Sequence, residues 1–313
     1  MCINWGAFER RQLIILCEIL GLISLIITIV FAIRYFMNES FEDCAGPFGD
    51  TFTFDPKKHK NYEYFTQGMC SGKFIERYEN DDDHKFPFVA RLVKKRTTQV
   101  ICGGSLISKK LVLTAAHCVQ GRSNESMTIY LGDEKNLAEL RMVVKFEIII
   151  HPKYNSETYA NDIALLKFVN SVALSPKVNT ICLPFDEPNI LVNLTLSLYD
   201  SLSLVDSRLS ENFMEGFDKY NCSLQFFEHG KREDTDNIFY RPIDPLNQFC
   251  AGNETLPQGN SGLPAYVKDH QNKPFTIFGI TSYGTKMNDS NAFPTVFTKV
   301  HSYIHWILCN ASS

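Results

Sequence analysis

The 313-residue sequence lacks three compositional signals that mark common classes of protein. It has no basic excess: lysine and arginine number 31 against 35 acidic residues, the formal net charge is -4, and no basic stripe suggests nucleic-acid binding. It has no Cys-x-x-Cys pair, so structural zinc is disfavoured. With 17 glycines, 13 prolines and no internal repeat, it is not a low-complexity chain. What is present is a globular composition, 44% hydrophobic and 21% charged.

One long apolar run lies near the amino terminus. Residues 13–33 are 21 nearly uninterrupted apolar residues, and a helix of that length spans about 30 Å, the thickness of one bilayer core. Arg10 and Arg11 precede the run and Arg34 follows it, a bias that predicts a cytoplasmic tail at residues 1–12 and an external remainder. A cleaved signal peptide is the alternative, although its apolar core is usually shorter and no Ala-x-Ala cleavage site follows.

Cysteines and glycosylation sequons both favour an oxidising, extracellular location for the remainder of the chain. Ten cysteines are more than a cytosolic enzyme usually carries, and they point to disulfides or to a metal. Every Asn-x-Ser/Thr triplet follows the apolar run, which is the pattern of a glycoprotein. The triplets begin at Asn38, Asn124, Asn193, Asn221, Asn253, Asn288 and Asn310.

Short β-rich runs separated by turn residues fill the chain beyond residue 86. They lie at residues 88–93, 101–105, 111–114, 127–131, 142–150, 163–168, 275–283 and 295–300. Many short strands at this spacing predict an all-β sandwich or barrel. Apolar residues at helical spacing from Val300 to Leu308 predict one short terminal helix. Residues 34–74 show no sustained periodicity and are interpreted as a stalk or pro-segment.

Three segments carry residues that can act together in nucleophilic catalysis. His117 ends an apolar strand in LTAAHC, Asp162 precedes another in NDIALLK, and Ser261 lies between glycines in QGNSGLP. A hydroxyl nucleophile needs a base, the base needs an orienting carboxylate, and glycines let backbone N–H groups approach an oxyanion. Each segment alone is weak, because a lone histidine is most often structural and the other two are common turn sequences. Their conjunction predicts the chemistry.

Six segments resemble the trypsin-like serine proteases in order and spacing. They are CGGS at residues 102–105, LTAAHC at 113–118, NDIALL at 161–166, ICLP at 181–184, FCAG at 249–252 and SYG at 282–284. The resemblance covers residues 75–309 and implies a protease domain of two packed six-stranded antiparallel β-barrels with a short C-terminal helix. It also implies that the site lies in the cleft between the barrels.

The resemblance implies a role for individual residues as well. His117 would be the general base, Asp162 its orienting carboxylate and Ser261 the nucleophile, and the N–H groups of Gly259 and Ser261 would form the oxyanion hole. A peptide or protein would be the substrate. Two further residues match the segment that pairs with the substrate backbone as an added strand. These are Ser282 and Gly284.

Disulfide pairs follow from the same resemblance. The implied pairs of the two barrels are Cys102 with Cys118 and Cys222 with Cys250. Cys182 matches the position that tethers the pro-segment, so its partner would be Cys44 or Cys70. The other of these two cysteines would bond Cys309, bond another chain or stay free.

Two departures from the family concern activation. Family members are cleaved after Arg or Lys, and the new amino terminus is buried against an Asp immediately before the nucleophilic serine. Here the aligned terminus is Ile75, preceded by Phe74, and the aligned carboxylate position is Asn260. The positive charge of a buried ammonium is poorly compensated by a neutral amide, and its burial then costs roughly several kcal/mol. The usual switch is therefore not expected to operate unchanged.

The specificity pocket departs from the family too. Thr255 stands where trypsins carry an Asp, so cleavage after Lys or Arg has no electrostatic support. Thr295 and Leu263 replace family glycines and suggest a narrowed pocket for small or medium apolar side chains. The acidic run at residues 81–83 is interpreted as a solvated loop. No metal and no other cofactor is assigned.

Two functions from different classes follow from these residues. The first is a membrane-tethered or secreted serine endopeptidase, not trypsin-like in its cleavage preference, that forms an acyl-enzyme on Ser261. The second is a catalytically impaired homologue that binds another protease, or its substrate, in an extracellular protease cascade. The intact Ser261, His117 and Asp162 favour the first function. Asn260, Phe74 and the altered specificity pocket favour the second.

Overall fold

The computed structural model describes most of the predicted protease domain and part of the chain before it. The described residues are 19–29, 54–66, 70, 86–132, 140–186, 193–201, 203–204, 209–217, 222, 243–252, 256, 259–267, 275–284 and 294–311. The chain divides into two units, Met1–Thr53 and Phe54–Ser313. Several predicted features lie outside the described residues. They are Asn38, Cys44, the Phe74–Ile75 boundary, the acidic run, Asn221, Asn253, Thr255 and Asn288.

The first unit contains one described helix, α1, at residues 19–29. Its leucine and isoleucine side chains are 47 to 59% exposed. No helix among the described residues is both long enough and apolar enough to cross a membrane. The predicted apolar run at residues 13–33 extends beyond α1 at both ends, outside the described part of the chain.

The first half of the second unit forms an antiparallel sheet of seven strands in the order β5-β4-β1-β2-β3-β7-β6. The strands are β1 (Val89–Lys94), β2 (Val100–Ser108), β3 (Leu111–Thr114), β4 (Met127–Leu131), β5 (Arg141–Val143), β6 (Phe146–Ile150) and β7 (Ala164–Phe168). These are the apolar and β-branched runs that the sequence marks as strands. All-β architecture is therefore confirmed for this half.

The seventh strand arises because one predicted run is divided. Residues 142–150 contain β5 and β6, which are separated only by residues 144–145 and lie at opposite edges of the sheet. Three Cα steps span at most about 11 Å, so the sheet must curl until its two edges approach each other. Counted as one bent strand, β5 and β6 give the six-stranded barrel that the resemblance implies.

The second half forms a closed antiparallel barrel of six strands in the order β10-β13-β12-β11-β8-β9. Its strands are β8 (Asn193–Tyr199), β9 (Leu209–Phe217), β10 (Gln248–Ala251), β11 (Pro264–Val267), β12 (Thr276–Tyr283) and β13 (Thr295–Lys299). Alternating leucines of β8 face a core with the stacked rings of Phe249 and Phe297, whose centroids are 5.2 Å apart. The expected second barrel is thus present.

The predicted terminal helix is confirmed and packs against a segment that precedes the barrels. Helix α3 (Ile304–Asn310) follows a 3-10 turn at Val300–Tyr303, and its Ile307 and Leu308 are fully buried. The Asn61 side chain donates to the Leu308 carbonyl oxygen over 2.7 Å. Asn61 lies just before the five-residue helix α2 (Tyr62–Thr66), whose Phe65 is buried. Part of the predicted stalk therefore belongs to the same compact unit as the barrels.

Disulfides cross-link this unit at the positions that the resemblance implies. Three pairs are described: Cys102 with Cys118, Cys222 with Cys250, and Cys70 with Cys182. Cys309 is disulfide-bonded as well. The bond from Cys70 to Cys182 joins residues 112 positions apart, so it ties the segment before the barrels to the connection between them.

Candidate active site

His117 and Asp162 are brought together by the pairing of two neighbouring strands. β3 ends at Thr114, which pairs with Ala164 at the start of β7. His117 follows β3 in a 3-10 turn, and Asp162 lies two residues before β7. His117 Nδ1 is 2.7 Å from Asp162 Oδ2, and the His117 backbone N–H donates to Oδ1 over 2.9 Å. The register between the neighbouring strands β3 and β7 thus brings His117 and Asp162 together.

The Asp162 carboxylate is fully buried and receives hydrogen bonds from both halves of the unit. Besides the two bonds from His117, Oδ2 accepts one from the Ser282 hydroxyl of β12. The Asp162 carbonyl oxygen accepts one from Thr298 Oγ1 of β13 over 3.0 Å. Because a carboxylate only accepts, His117 Nδ1 must carry the donated proton, which leaves Nε2 as the acceptor in the neutral ring.

The loop that carries Ser261 is fixed by contacts with two other strands. The Gly103 N–H of β2 donates to the Ser261 carbonyl oxygen over 2.8 Å, and the Gly262 N–H donates to the Thr281 carbonyl oxygen over 2.7 Å. Gly262 has a φ of +84°, and a Cβ there would lie 2.3 Å from the Gly103 carbonyl oxygen. Only glycine fits this junction, where the backbones of the two halves meet.

The Ser261 hydroxyl lies near Ser282 in this structure. Ser261 Oγ is 3.5 Å from the Ser282 carbonyl oxygen, while His117 Nε2 lies 3.7 Å from the sulfur of Cys118. Among the hydrogen bonds between described residues, none joins Ser261 to His117. Catalytic hydrogen bonds are often long in ligand-free proteases and tighten when substrate binds.

Asn260, which stands where family members carry an aspartate, forms hydrogen bonds through its side-chain amide. It is fully buried. Its Oδ1 accepts from the Tyr199 N–H over 2.6 Å, and its Nδ2 donates to the Tyr199 carbonyl oxygen over 3.3 Å. Tyr199 is the last residue of β8, so Asn260 joins the Ser261 loop to the second barrel. Sequence reasoning identified Asn260 as a departure and did not find this partner.

The predicted substrate-binding residues differ in exposure. Gly284 is exposed at the end of β12. Ser282 is buried, and its side chain is directed to Asp162, so only its backbone is suited to pairing with a substrate. Thr295 is buried and pairs with Ala251 of β10.

Leu263 lies in a different place from the one expected for a pocket residue. Its side chain is fully buried. A Cβ added to Gly103 would lie 2.3 Å from Leu263 Cδ2, so the Leu263 side chain fills the space that Gly103 leaves open. Leu263 therefore contributes to the packing between the two halves and not to an open cleft.

An aromatic surface beside His117 was not predicted from the sequence. The Tyr159 ring lies 5.1 Å from the His117 ring and 5.5 Å from the Tyr283 ring, measured between centroids. Tyr159 has a φ of +58°, and Gln248 Nε2 donates to its carbonyl oxygen over 3.2 Å. Because Tyr159 comes from a turn without periodicity, no sequence pattern marks it.

Tyr303 supports the turn that contains Asp162. Its hydroxyl donates to Asn161 Oδ1 over 3.1 Å. Burial raises the pKa of Tyr303, and the negative charges of Asp244 and Asp162 raise it further. The hydroxyl consequently keeps its proton at neutral pH and remains a donor to the residue next to Asp162.

His151 is a buried, neutral histidine that packs on the terminal helix. Its ring makes edge contacts with Tyr303 and Trp306, each with centroids 5.2 Å apart. Burial lowers the pKa of His151 to about 4, and the positive charge of Lys153 acts in the same direction. His151 is therefore uncharged at neutral pH and takes a structural role.

One group of potential metal ligands is present among the described residues: Cys102, His117 and Cys118. The two sulfurs are bonded to each other, so they offer no thiolate to a cation. The group consequently provides one usable ligand, His117, which is already engaged with Asp162.

The described sequon asparagines are Asn124, Asn193 and Asn310. Asn124 is partly exposed, and its Nδ2 lies 3.5 Å from the Phe146 carbonyl oxygen. Asn193 opens β8. Asn310 Nδ2 donates to the Trp306 carbonyl oxygen over 2.8 Å within α3, so a glycan there would be attached to the nitrogen that makes this bond.

Comparison with known proteins identifies the family. The sequence model of the family described as Trypsin matches residues 75–307. Granzyme-like protein 1 of Rattus norvegicus is 32% identical over 235 residues, which cover 72% of this chain and 86% of that protein. The CLIP domain-containing serine protease B9 of Anopheles gambiae is 28% identical over 276 residues, 78% of this chain and 64% of the relative.

A solved structure described as a kallikrein-related peptidase 10 complex with Zn2+ shares the fold, with a TM-score of 0.54, 23% identity and coverage of 71% of this chain and 94% of that one. The chain spans 64% of the CLIP-domain relative and 27% of the Serine proteinase stubble of Drosophila melanogaster. The match over residues 75–307, together with the two sheets described above, gives one conclusion. The chain belongs to the trypsin family of serine proteases.

Proposed function

We propose that this chain is a serine endopeptidase that hydrolyses peptide bonds through an acyl-enzyme on Ser261. The observation that carries the proposal is the pairing of the half-buried His117 with the fully buried Asp162, with 2.7 Å between Nδ1 and Oδ2. That bond fixes the ring and its tautomer, so Nε2 is available as a general base. Family membership supports the same reaction.

The reaction has two steps. The Ser261 oxygen attacks the substrate carbonyl carbon while its proton passes to His117 Nε2. The tetrahedral intermediate then collapses, the C–N bond breaks, and the same proton passes to the departing amine, which leaves an ester on Ser261. A water attacks this ester by the reverse proton movement and releases the acid, so His117 and Ser261 are regenerated.

Two backbone groups stabilise the charge that develops on the substrate oxygen. The N–H groups of Gly259 and Ser261 have no acceptor among the described residues, and Gly259 has a φ of +91°. Donors with no partner of their own in the folded protein are available to an oxyanion. Loss of one such donor typically costs about 10²–10³ in rate.

The substrate is a peptide with a small or medium apolar residue before the cleaved bond. Thr255 offers no charge to Lys or Arg, and Thr295 is buried where the family usually has glycine. The backbone of Ser282 and the exposed Gly284 supply a strand edge with which an extended peptide can pair.

The apolar run at residues 13–33 anchors the chain, with the protease domain of residues 75–309 outside the cell. The run length, the flanking arginines and the seven sequons support this topology, and three described disulfides are those of an oxidising compartment. Alkaline carbonate extraction of the full chain leaves an anchored protein in the pellet, whereas a chain cleaved after the run is released. Treatment with peptide N-glycosidase tests the sequons in the same samples.

A second function, binding without turnover, is favoured by two observations. Asn260 is neutral where family members carry a carboxylate, and no hydrogen bond joins Ser261 to His117 among the described residues. In that case the cleft binds another protease, or its substrate, in an extracellular cascade.

A peptide library separates the two functions. The full chain, produced in a secretory host, is incubated with peptides of varied sequence and the products are identified by mass spectrometry, with Ser261→Ala as the matched control. Cleavage after small or medium apolar residues that is lost in the control supports the peptidase. Bound peptides without products, unchanged in Ser261→Ala, support the binding homologue.

A further inference from the structure

We infer that Tyr303 is a positioning residue for catalysis, and that its hydroxyl fixes the Asp162 carboxylate against His117 by holding the side chain of Asn161. The inference rests on the proposed function, because Asp162 orients the general base of that reaction. Tyr303 ends the 3-10 turn that leads into the terminal helix. Its hydroxyl donates to Asn161 Oδ1 over 3.1 Å, across 142 positions of sequence.

The Asn161 side chain is held at both of its polar atoms. Nδ2 donates to the Lys153 carbonyl oxygen over 2.9 Å, and Oδ1 accepts from the Tyr303 hydroxyl. Because a carbonyl oxygen only accepts, the Lys153 bond fixes the nitrogen end of the amide and directs Oδ1 to Tyr303. Burial raises the pKa of Tyr303, so its hydroxyl keeps the proton that Asn161 Oδ1 accepts. The amide therefore has one orientation, for which Tyr303 supplies the donor.

The backbone of Asn161 makes this bond matter for the next residue. Asn161 has a φ of +55°, a left-handed conformation that is disfavoured for residues with a Cβ and that asparagine adopts when its side chain is bonded. The Ile163 N–H donates to the Asn161 carbonyl oxygen over 2.8 Å, so Asp162 is the middle residue of a three-residue turn. The direction of the Asp162 carboxylate is consequently tied to the conformation of Asn161.

Two further hydroxyl groups of the second half hold Asp162 itself. Thr298 Oγ1 donates to its carbonyl oxygen over 3.0 Å, and the Ser282 hydroxyl donates to its carboxylate. Tyr303 acts on the residue before it, so the turn is attached to the second half at two consecutive residues. Without the Tyr303 hydroxyl, residue 161 is released while residue 162 stays attached. Asn161 then leaves the left-handed region, and the carboxylate rotates away from His117 Nδ1.

Removal of the hydroxyl alone should leave the fold intact. The buried Tyr303 ring makes an edge contact with His151, with 5.2 Å between centroids, and Tyr303→Phe keeps this ring. Asn161 is partly exposed, so water can solvate its side chain when the bond is lost. The substitution therefore changes the direction of the Asp162 carboxylate more than it changes the free energy of unfolding.

The test uses the full chain and measures two properties. The first is kcat and KM for a peptide that the library identifies as a substrate. The second needs no turnover: it is the rate at which the His117 Nδ1 proton, observed by NMR, exchanges with water, which reports its bond to Asp162. The melting temperature of each variant is recorded alongside.

The variants form a double-mutant cycle of Tyr303→Phe and Asn161→Gly. Glycine tolerates a positive φ but has no side chain for the hydroxyl to bond. The control is Ser302→Ala, which removes a hydroxyl from the neighbouring residue of the same turn. Ser302 Oγ donates to the Leu246 carbonyl oxygen over 2.7 Å, away from Asn161.

Tyr303→Phe is expected to lower kcat about threefold to tenfold, with KM within about twofold of the parent, because one hydrogen bond is lost. Exchange of the His117 Nδ1 proton should speed up by about the same factor. In the Asn161→Gly chain the same substitution should change both properties by less than about 1.5-fold, since the hydroxyl has already lost its acceptor. Ser302→Ala should match the parent.

Two results would overturn the inference. One is a Tyr303→Phe chain whose kcat and His117 exchange equal those of the parent, even if its melting temperature falls. The other is an effect of Tyr303→Phe that is as large with Asn161→Gly as without it. A distinct result would contradict only the proposed peptidase: if the parent cleaves no peptide while Tyr303→Phe still speeds the exchange through Asn161, the positioning role is supported and the catalytic proposal is not.

Discussion

The two parts of the candidate site are built in different ways. His117 and Asp162 come from adjacent strands of one sheet, and their geometry is closed by hydrogen bonds of 2.7 and 2.9 Å. Ser261 lies on a loop of the second barrel that is held by contacts with the first sheet and by the neutral Asn260. The geometry of the His117–Asp162 pair therefore depends on the register of adjacent strands, whereas the position of the Ser261 nucleophile depends on how the two halves pack. Variants in the two parts are expected to fail in different ways.

The largest effect is expected from Asp162→Asn in the first part. If the NH2 group of the new side chain takes the Oδ1 position, it places a donor against the donating backbone N–H of His117. If it takes the Oδ2 position, His117 Nδ1 must become an acceptor, which is the wrong ring tautomer. Peptide hydrolysis is expected to fall about 10³–10⁴-fold while the melting temperature changes little. The exposed Asp186, changed to Asn, is the matched control and should retain full activity. An active Asp162→Asn variant would show that His117 does not need this carboxylate.

The next effect separates the two parts by stability. Gly262→Ala places a Cβ 2.3 Å from the Gly103 carbonyl oxygen at a φ of +84°, whereas Gly121→Ala, near His117, has a φ of +70° and open space around it. The first should lower the free energy of unfolding by about 3 kcal/mol or more, and the second by about 1 kcal/mol. Urea unfolding measures both. Equal losses would contradict a tight junction at Gly262.

A smaller effect concerns the bond that crosses from the second barrel to Asp162. Ser282→Ala removes the hydroxyl that donates to the carboxylate but leaves the backbone that would pair with substrate. Turnover should fall about tenfold to a hundredfold because a bond to a charged acceptor is lost. Thr298→Val removes only a bond to the Asp162 carbonyl oxygen and should cost about threefold or less. If the two variants lose the same activity, the hydroxyl of Ser282 has no special role.

The smallest effect is a pH dependence outside the site. The pKa of His151 is lowered to about 4 in the folded chain from 6.5, so the unfolded chain binds the proton first as the pH falls. Burial is the larger cause of this lowered pKa, and the charge of the exposed Lys153, which solvent screens, is the smaller one. Stability is therefore lost as the pH falls from 6.5 to 4, by about 1–2 kcal/mol. Urea unfolding of the parent and His151→Gln at pH 7 and pH 4.5 measures the difference. An identical pH dependence in both chains would rule out His151 as its source.

The strands were predictable where apolar residues continue along a run, as in β3 and β7. β9 was missed because its sequence, LSENFMEGF, is largely polar, and among its described apolar side chains only that of Met214 is buried. A strand of this kind is defined by its pairing with β8, which no local pattern shows.

The residue types of the site and the pairing of His117 with Asp162 were predictable, but the partner of Asp162 in β12 and the partner of Asn260 in β8 were not. The motifs identify His117, Asp162 and Ser261, since each lies at a strand end or between glycines. The bond from Ser282 to Asp162 joins residues 120 positions apart, and the bridge from Asn260 to Tyr199 joins residues 61 apart. Such contacts follow from the packing of the two halves, and a single sequence does not encode them as a motif.

The central claim is that His117 and the loop around it make Ser261 a nucleophile. The most direct measurement is the intact mass of the full chain after incubation with a fluorophosphonate, followed by peptide mapping, with Ser261→Ala alongside. The account predicts one phosphonate adduct on Ser261 in the parent and none in Ser261→Ala. A parent chain that remains unmodified after prolonged incubation, or an adduct that persists in Ser261→Ala, would contradict it.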